Sequence, residues 1–502
     1  MKTIRQTKSA SAKSALILTI ALSVLLMVLT ACNAEQQDET QAAEIGGLAF
    51  EYAMEQAERR RANITRAVED DAIVEAIMQI VGNVNPDFNL GWYGRLNTMR
   101  HADYVGLDDA IFDIGLLYAY LTNAYFGRIL FDESLLTSVF STIVEEVRDF
   151  AALNDDTIDT EHMLQVLHSH LSDVIHDGRA ALGFQYDGRM YNFNRPHTFY
   201  TSDMTFERTS DGVRNAANGR YVTALDGVPV SELLALTLNA YGEIHYGIVV
   251  SLAGDVPIIY HTLSYADGDT EEIRLVSMSA TIAQQTTGIT HVYGISVITI
   301  ADMAEFMPHP GEDLLLELFG ESTIIIDLRG SMGEDLAAAR NWLEGLVDAR
   351  IPSNAVLLRR ETNEMFVRDN AFSVTRNMPR EVVEHDRRIV ILTDRNTRSG
   401  AEFFLDLTTN LTNTIIVGTN TAGNMTILES DQVFRSGTGH TALMNSGITI
   451  NFGGDQILLW PEIEGHFAES IGIEPDIWVH GDALSAAVAM LRNAGYAGYI
   501  ND

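Results

Sequence analysis

The chain has 502 residues, 46% of them hydrophobic and 20% charged, with 69 acidic residues against 33 basic and a formal net charge of −36. That length accommodates two or three domains, each with its own core, and the apolar share excludes wholesale disorder. So acidic a surface repels phosphate backbones and disfavours nucleic acid as a partner, and a single cysteine excludes both an intramolecular disulfide and a cysteine-rich metal site.

The first fourteen residues carry Lys2, Arg5, Lys8 and Lys13 and no acid, and an apolar run from Ala15 to Leu29 follows. Then come Leu29-Thr30-Ala31-Cys32 and a polar stretch. A positive start, a short apolar run and small residues before a cut predict a secretory signal. The run is shorter than the roughly 20 residues a spanning helix needs. With the sole cysteine directly after Leu-Thr-Ala, residues 1–32 resemble a lipoprotein signal in which Cys32 is acylated. The acyl chains then hold the protein at the extracytoplasmic face of a membrane, each buried methylene contributing about 0.8 kcal/mol.

Residues 33–46, rich in Gln, Glu, Asp and Ala, read as a tether. Residues 47–179 read as a helical N-terminal domain. Apolar residues recur at three- and four-residue spacing from Asp109 to Phe150 without a proline, and a second run from Glu161 to Ile175 stops at Asp177-Gly178. Residues 180–290 alternate apolar and polar side chains between Gly and Asp turns, which predicts a β module. From 291 to 502, strand-like runs alternate with helical ones. Ile324-Ile325-Ile326 precedes Asp335–Val347, Ile389–Leu392 precedes Ala401–Thr408, and Ile415-Ile416-Val417 follows. The fold class expected is therefore α/β, with a layered βαβ core at the C-terminus.

Four segments of that core carry further information. They are Ile324 to Gly333, with its Asp-Leu-Arg and glycine-rich turn; Thr397-Arg398-Ser399-Gly400-Ala401-Glu402; Ile416-Val417-Gly418 through Thr421-Ala422-Gly423-Asn424; and Gly472-Ile473-Glu474-Pro475-Asp476-Ile477. In this order they resemble the tail-specific (C-terminal processing) serine protease family. The resemblance implies a crotonase-like core with Ser399 as nucleophile, Gly400 and Gly333 as backbone oxyanion donors, a peptide or unfolded protein as substrate, and no cofactor. Upstream, Tyr221–Val230 is similar to the turn of a PDZ-like module, and the helical region is similar to the N-terminal bundle of the tricorn-core-like branch.

Physical chemistry agrees in part. A serine at the mouth of a strand-to-helix connection is exposed, and the helix N-terminus favours developing negative charge. Ser399 and Glu402 also fit a capping box, a purely structural role that can coexist with catalysis. A hydroxyl needs a base to take its proton. The lysine of the family's Ser-Lys branch is matched here by Asn424, and the histidine of the tricorn-core-like branch by Arg179. Neither residue is a base. His176, three residues before Arg179, is the candidate substitute; His440 and His466 are others, with Glu462 and Glu469 as candidate orienting groups. Ser331 and Glu334 replace a family asparagine and glycine beside the oxyanion turn. Two functions are thus expected: a membrane-anchored serine peptidase acting on exported proteins, or a catalytically dead relative that keeps the peptide groove. His168 and His170 fall two apart and face different directions on a helix, and Asn154-Asp155-Asp156 lacks the rest of a calcium loop, so no metal site is expected.

Overall fold

The computed structural model describes residues 48–68, 102–123, 133–172, 174–175, 183–193, 197–253, 256–278, 285–303, 310–318, 320–333, 336–351, 356–360, 372–376, 382–424, 440–443, 445–451, 456–459 and 471–496. Cys32, the tether, His176, Arg179, Glu334, Glu462, His466 and Glu469 lie outside them.

The C-terminal layer is built on strands Ile295–Thr299, Thr323–Asp327, Arg388–Thr393, Thr414–Gly418 and Ile477–Val479, which pair in parallel in that order. Helices Pro310–Glu317, Leu336–Val347 and Gly400–Thr408 return the chain between successive strands. Both faces of the sheet are covered, which is why these strands read as unbroken apolar runs. Ile324, Ile326, Ile389, Ile391 and Ile416 share a core with the helices Leu336–Val347 and Gly400–Thr408. The alternate residues Ile325, Val390, Leu392, Ile415 and Val417 face the closing helix Ala483–Asn493. Each fully buried isoleucine contributes about 2 kcal/mol.

The helix Phe50–Val68 was expected with the helical segment that follows it. Instead its Phe50, Ala53, Met54 and Ala57 are buried in the same core as the closing helix. Arg60 fixes it further, donating to the carbonyl of Pro475 at 3.0 Å. The first described helix thus packs in the same core as the last one.

The β module is continuous with the same sheet. Strand Leu234–Leu238 runs parallel to Ile477–Val479, with Thr237 opposite Trp478 and Leu238 opposite Val479. Beyond it the pairing is antiparallel and curls round, until Phe206 meets Tyr246 and closes a ring. Leu225 pairs with Val228 across a two-residue turn, Asp226-Gly227, whose φ values of 47° and 86° are both positive. That is the turn an Asp-Gly pair favours between twisted strands. Among the described residues from 183 to 303 the only helix is the 3₁₀ turn Val230–Glu232.

The expected helical stretch Asp109–Phe150 is two helices, Leu107–Asn123 and Glu133–Ala152, and the run from Glu161 is the helix Thr160–Leu171, capped by Asp159. These helices do not close a core alone. Leu443, Ile448 and Ile450, from far along the chain, complete it, and strand Thr449–Asn451 pairs with Gly183–Tyr186. Asp113, fully buried, is the polar centre of this junction. Its carboxylate accepts from the Ser446 hydroxyl at 2.7 Å and the Ser446 and Asn445 N–H groups at 2.8 and 3.1 Å.

Removing that acceptor strands three buried donors, each costing on the order of 1 kcal/mol or more. Asp113→Ala is expected to lower unfolding stability by about 3 kcal/mol, read from the urea midpoint, with Asp113→Asn losing less. An unchanged midpoint would show that the junction carries no such weight.

Candidate active site

Three loops at the C-terminal ends of the parallel strands meet around Ser399. The strand Thr323–Asp327 leads into the glycine-rich turn through Arg329, whose guanidinium grips Asp327 with a bond of 2.8 Å from Nε and one of 2.7 Å from Nη2. The same guanidinium reaches Asp482, the N-cap of the closing helix, at 3.3 Å. Burial opposes its charge, and the bonds and charges of Asp327 and Asp482 outweigh that penalty, so Arg329 is held above its usual range. Asp327 and Arg329 thus form the turn's foundation.

Asp394 joins this turn to the loop that carries Ser399. Its Oδ1 accepts from the N–H groups of Gly330 at 2.8 Å and of Asn396 and Thr397 at 3.0 Å each. The Thr397 hydroxyl donates to the carbonyl of Leu328 at 2.8 Å, and the Arg398 N–H to that of Ser331 at 3.0 Å. With both sides tied down, Ser399 is forced to φ 57° and ψ −119°, a backbone conformation that residues with a Cβ rarely adopt. Such strain is stored where the surrounding structure over-determines it. Ser399 is half-buried at the N-terminus of the helix it precedes.

Beneath it lies Glu402. The helix Gly400–Thr408 is buried along its whole length, and Glu402 has no exposed surface. Oε1 accepts from the Thr421 hydroxyl at 2.5 Å and the Gly423 N–H at 2.8 Å; Oε2 accepts from the N–H groups of Ser399 and Asn424, each at 3.0 Å. The expected capping box of Ser399 and Glu402 is present, and the Glu402 N–H also reaches the Ser399 carbonyl at 3.0 Å. Thr421 in turn accepts from the Ile473 N–H at 2.7 Å, which brings in the closing segment. Gly472 there admits no side chain, since a Cβ would sit 2.1 Å from the Thr421 carbonyl oxygen.

The expected oxyanion donors are adjacent, with one difference. The Gly400 N–H donates to the Gly333 carbonyl at 2.8 Å and is not free in this conformation. The approach needs glycine at 400, where a Cβ would lie 2.5 Å from the Gly333 oxygen. Asn424 lies in the turn clamped by Glu402, and its Oδ1 is buried without a partner among the described residues, as is the hydroxyl of Ser331. His440 begins the strand His440–Ala442, which belongs to the small sheet of the helical segment and not to these loops. His176, the first candidate base, falls outside the described residues.

The sequence reading took Glu402 only as a cap and passed over Asp394 and Thr421. A signal existed for Glu402: an acid within the otherwise apolar run Ala401–Leu405 is out of place unless something buried receives it.

Burial pushes the Glu402 carboxyl up from 4.5 to about 7, against the lowering effect of its four donors. Between those two values the folded protein holds more protons than the unfolded chain, so this group makes stability fall as pH rises. The whole effect is on the order of 3 kcal/mol. Urea unfolding of Glu402→Gln is expected to show a correspondingly shallower decline across that window than the wild type. Parallel pH profiles would contradict the assignment.

Residues 294–479 match the model described as peptidase family S41. Among solved structures, mature CPAF complexed with lactacystin is similar at 16% identity, covering 77% of this chain and 96% of that one, with a TM-score of 0.39. The photosystem II D1 C-terminal processing protease is similar at 15% identity over 77% of this chain and 97% of that one, TM-score 0.34. A putative peptidase from Parabacteroides merdae is similar at 13% identity over 77% and 93%, TM-score 0.37. No curated protein matches the chain. The family-model match spans residues 294–479, which hold the parallel strands, the Ser399 turn and the closing segment, in line with the resemblance of the four core segments to the tail-specific serine proteases.

Proposed function

We propose that the protein is an exported serine peptidase, lipid-anchored at Cys32 on the extracytoplasmic face of the cell membrane, that hydrolyses peptide bonds of exported proteins through Ser399. The observation that carries this reading is the backbone of Ser399. A serine held at φ 57° ahead of a buried helix is strained beyond what an N-cap needs, since a cap ordinarily takes an extended backbone. Membrane attachment rests on the signal-like sequence alone. No described helix is long and apolar enough to cross a membrane.

The chemistry is acyl transfer. Ser399 Oγ attacks the scissile carbonyl carbon while its proton passes to a base, for which His176 is the candidate. The tetrahedral intermediate collapses by breaking the C–N bond, the amine leaves with a proton, and water hydrolyses the acyl-enzyme. The developing oxyanion needs the Gly400 N–H, so the Gly333 carbonyl must turn away as substrate enters. That exchange replaces a neutral bond by a charge-assisted one, and an oxyanion donor is worth about 3 kcal/mol to the transition state. The β module that continues the sheet through Leu234–Leu238 is assigned, as a PDZ-like module, to holding an extended peptide.

A second reading has specific support. Asn424 stands where a Ser-Lys enzyme needs its lysine, and the Gly400 N–H is occupied by Gly333. Both suit a protein that binds peptides without cutting them.

Mass spectrometry of the protein lacking residues 1–32, after treatment with a fluorophosphonate probe, separates the two. The peptidase reading predicts one adduct, on Ser399, that disappears in Ser399→Ala. A folded protein that binds peptides and takes up no probe is the non-cleaving relative.

A further inference from the structure

Glu402 is a buried ionisable group beside Ser399 that the acyl-transfer scheme above does not use, and its geometry excludes the first role it suggests. A carboxylate next to a nucleophile invites the role of general base. An ionised carboxylate offers about four lone-pair sites. All four are filled here, two on each oxygen, by Thr421, Gly423, Ser399 and Asn424. None remains for the Ser399 hydroxyl. What these bonds do is join two chain segments: the nucleophile's own N–H on one side, and the turn Thr421–Asn424 on the other.

We propose that the ionised carboxylate of Glu402 is a positioning residue for Ser399, clamping the nucleophile's N–H and the Thr421–Asn424 turn together, and that loss of its charge loosens the clamp. The inference rests on the peptidase reading for its consequence, but the clamp itself does not. Three of the four partners are backbone N–H groups that can only donate. A proton on the carboxyl therefore finds one group able to turn round, the Thr421 hydroxyl, and that hydroxyl already accepts from the Ile473 N–H. On Oε2 both partners are backbone donors, and no accommodation exists there. Neutralisation also removes the charge assistance that makes such bonds about twice as strong as neutral ones. The strained φ of Ser399 then loses part of what enforces it.

Burial sets the range in which this happens, since it brings the group to about 7. The other charged groups on the elements around it are Asp406 one turn along the same helix, Arg398 beside the nucleophile and Asp394 in the loop before it. Across the packed faces stand Arg340 on the helix Leu336–Val347, the Asp327–Arg329 pair, and Glu474 after Ile473. The direct hydrogen bonds to the carboxylate come from the four uncharged donors alone, so the pH response is set at Glu402 by desolvation.

Two readouts on the full-length mature protein test this. One is the rate of fluorophosphonate labelling of Ser399 against pH. The other is hydrogen exchange, corrected for its intrinsic pH dependence, in peptides covering 399–408 and 421–424, which requires no chemistry at Ser399. Wild type is expected to lose labelling about tenfold from about pH 8 to about pH 6, the factor of a single group titrating midway, and to lose exchange protection over the same range. Glu402→Gln places an amide N–H₂ against backbone donors, and is expected to label slowly with that limb gone. Thr421→Val removes one donor from the carboxylate and is expected to shift the limb to higher pH, a change that a merely structural role would not produce. Limbs of the same midpoint in all three proteins, or exchange protection unaffected by pH, would overturn the proposal. If Ser399 takes up no probe at any pH, the peptidase reading fails, while the exchange data still decide whether the clamp exists.

Discussion

Water has been removed from the Glu402 carboxyl, and four hydrogen-bond donors have been put in its place. Desolvation of a carboxylate costs several kcal/mol, and the protein offsets it with backbone N–H groups drawn from two separate segments. Those donors are aimed before folding is complete only if the segments that carry them are already in register. The parallel strands Arg388–Thr393 and Thr414–Gly418 supply that register, since each runs directly into one of the two loops. The wider network follows from the same point. Asp394 ties the Ser399 loop to Gly330, the Asp327–Arg329 pair holds that turn to the sheet, and Thr421 passes the connection on to Ile473.

One consequence is a firmly held Ser399 beside a more adaptable contact between Gly333 and Gly400. Ser399 is constrained from below by Glu402 and from before by Asp394 through Thr397. Among the described residues, Gly333 is held by the lighter hydrogen bond between its carbonyl and the Gly400 N–H, a neutral contact of the kind worth about 1 kcal/mol. A peptide carbonyl that acquires negative charge competes for that N–H on better terms. Such an arrangement makes the competent geometry depend on the substrate being present.

Much of the α/β layer was legible because both faces of its sheet are covered, so that Ile324-Ile325-Ile326 and Ile389–Leu392 stand out as apolar runs bounded by helices. The turn residues were legible too, since Asp226-Gly227 and the glycines near Ser399 have few other uses. Ser399 itself was reached through a family resemblance that rests on four short segments. What the sequence did not disclose were contacts between residues far apart in the chain. Nothing in the periodicity of Phe50–Val68 says that it packs on Ala483–Asn493, or that Leu443 and Ile448 complete the helical core. Glu402 was visible as a cap and not as a buried acid, because its donors Thr421, Gly423 and Asn424 arrive from the next strand and carry no local signature. The Gly333 carbonyl on Gly400 is a choice of peptide orientation, which side-chain patterns do not encode.

The most direct test of the central claim, that Ser399 is an enforced nucleophile with its oxyanion donor in reserve, is a crystal structure of the mature protein with a peptide boronic acid. The account predicts a covalent bond from Ser399 Oγ to boron, a boronate oxygen on the Gly400 N–H, the Gly333 carbonyl turned away, and the four bonds to Glu402 unchanged. A peptide lying in the groove with no bond to Ser399, and Gly333 still hydrogen-bonded to Gly400, would contradict it.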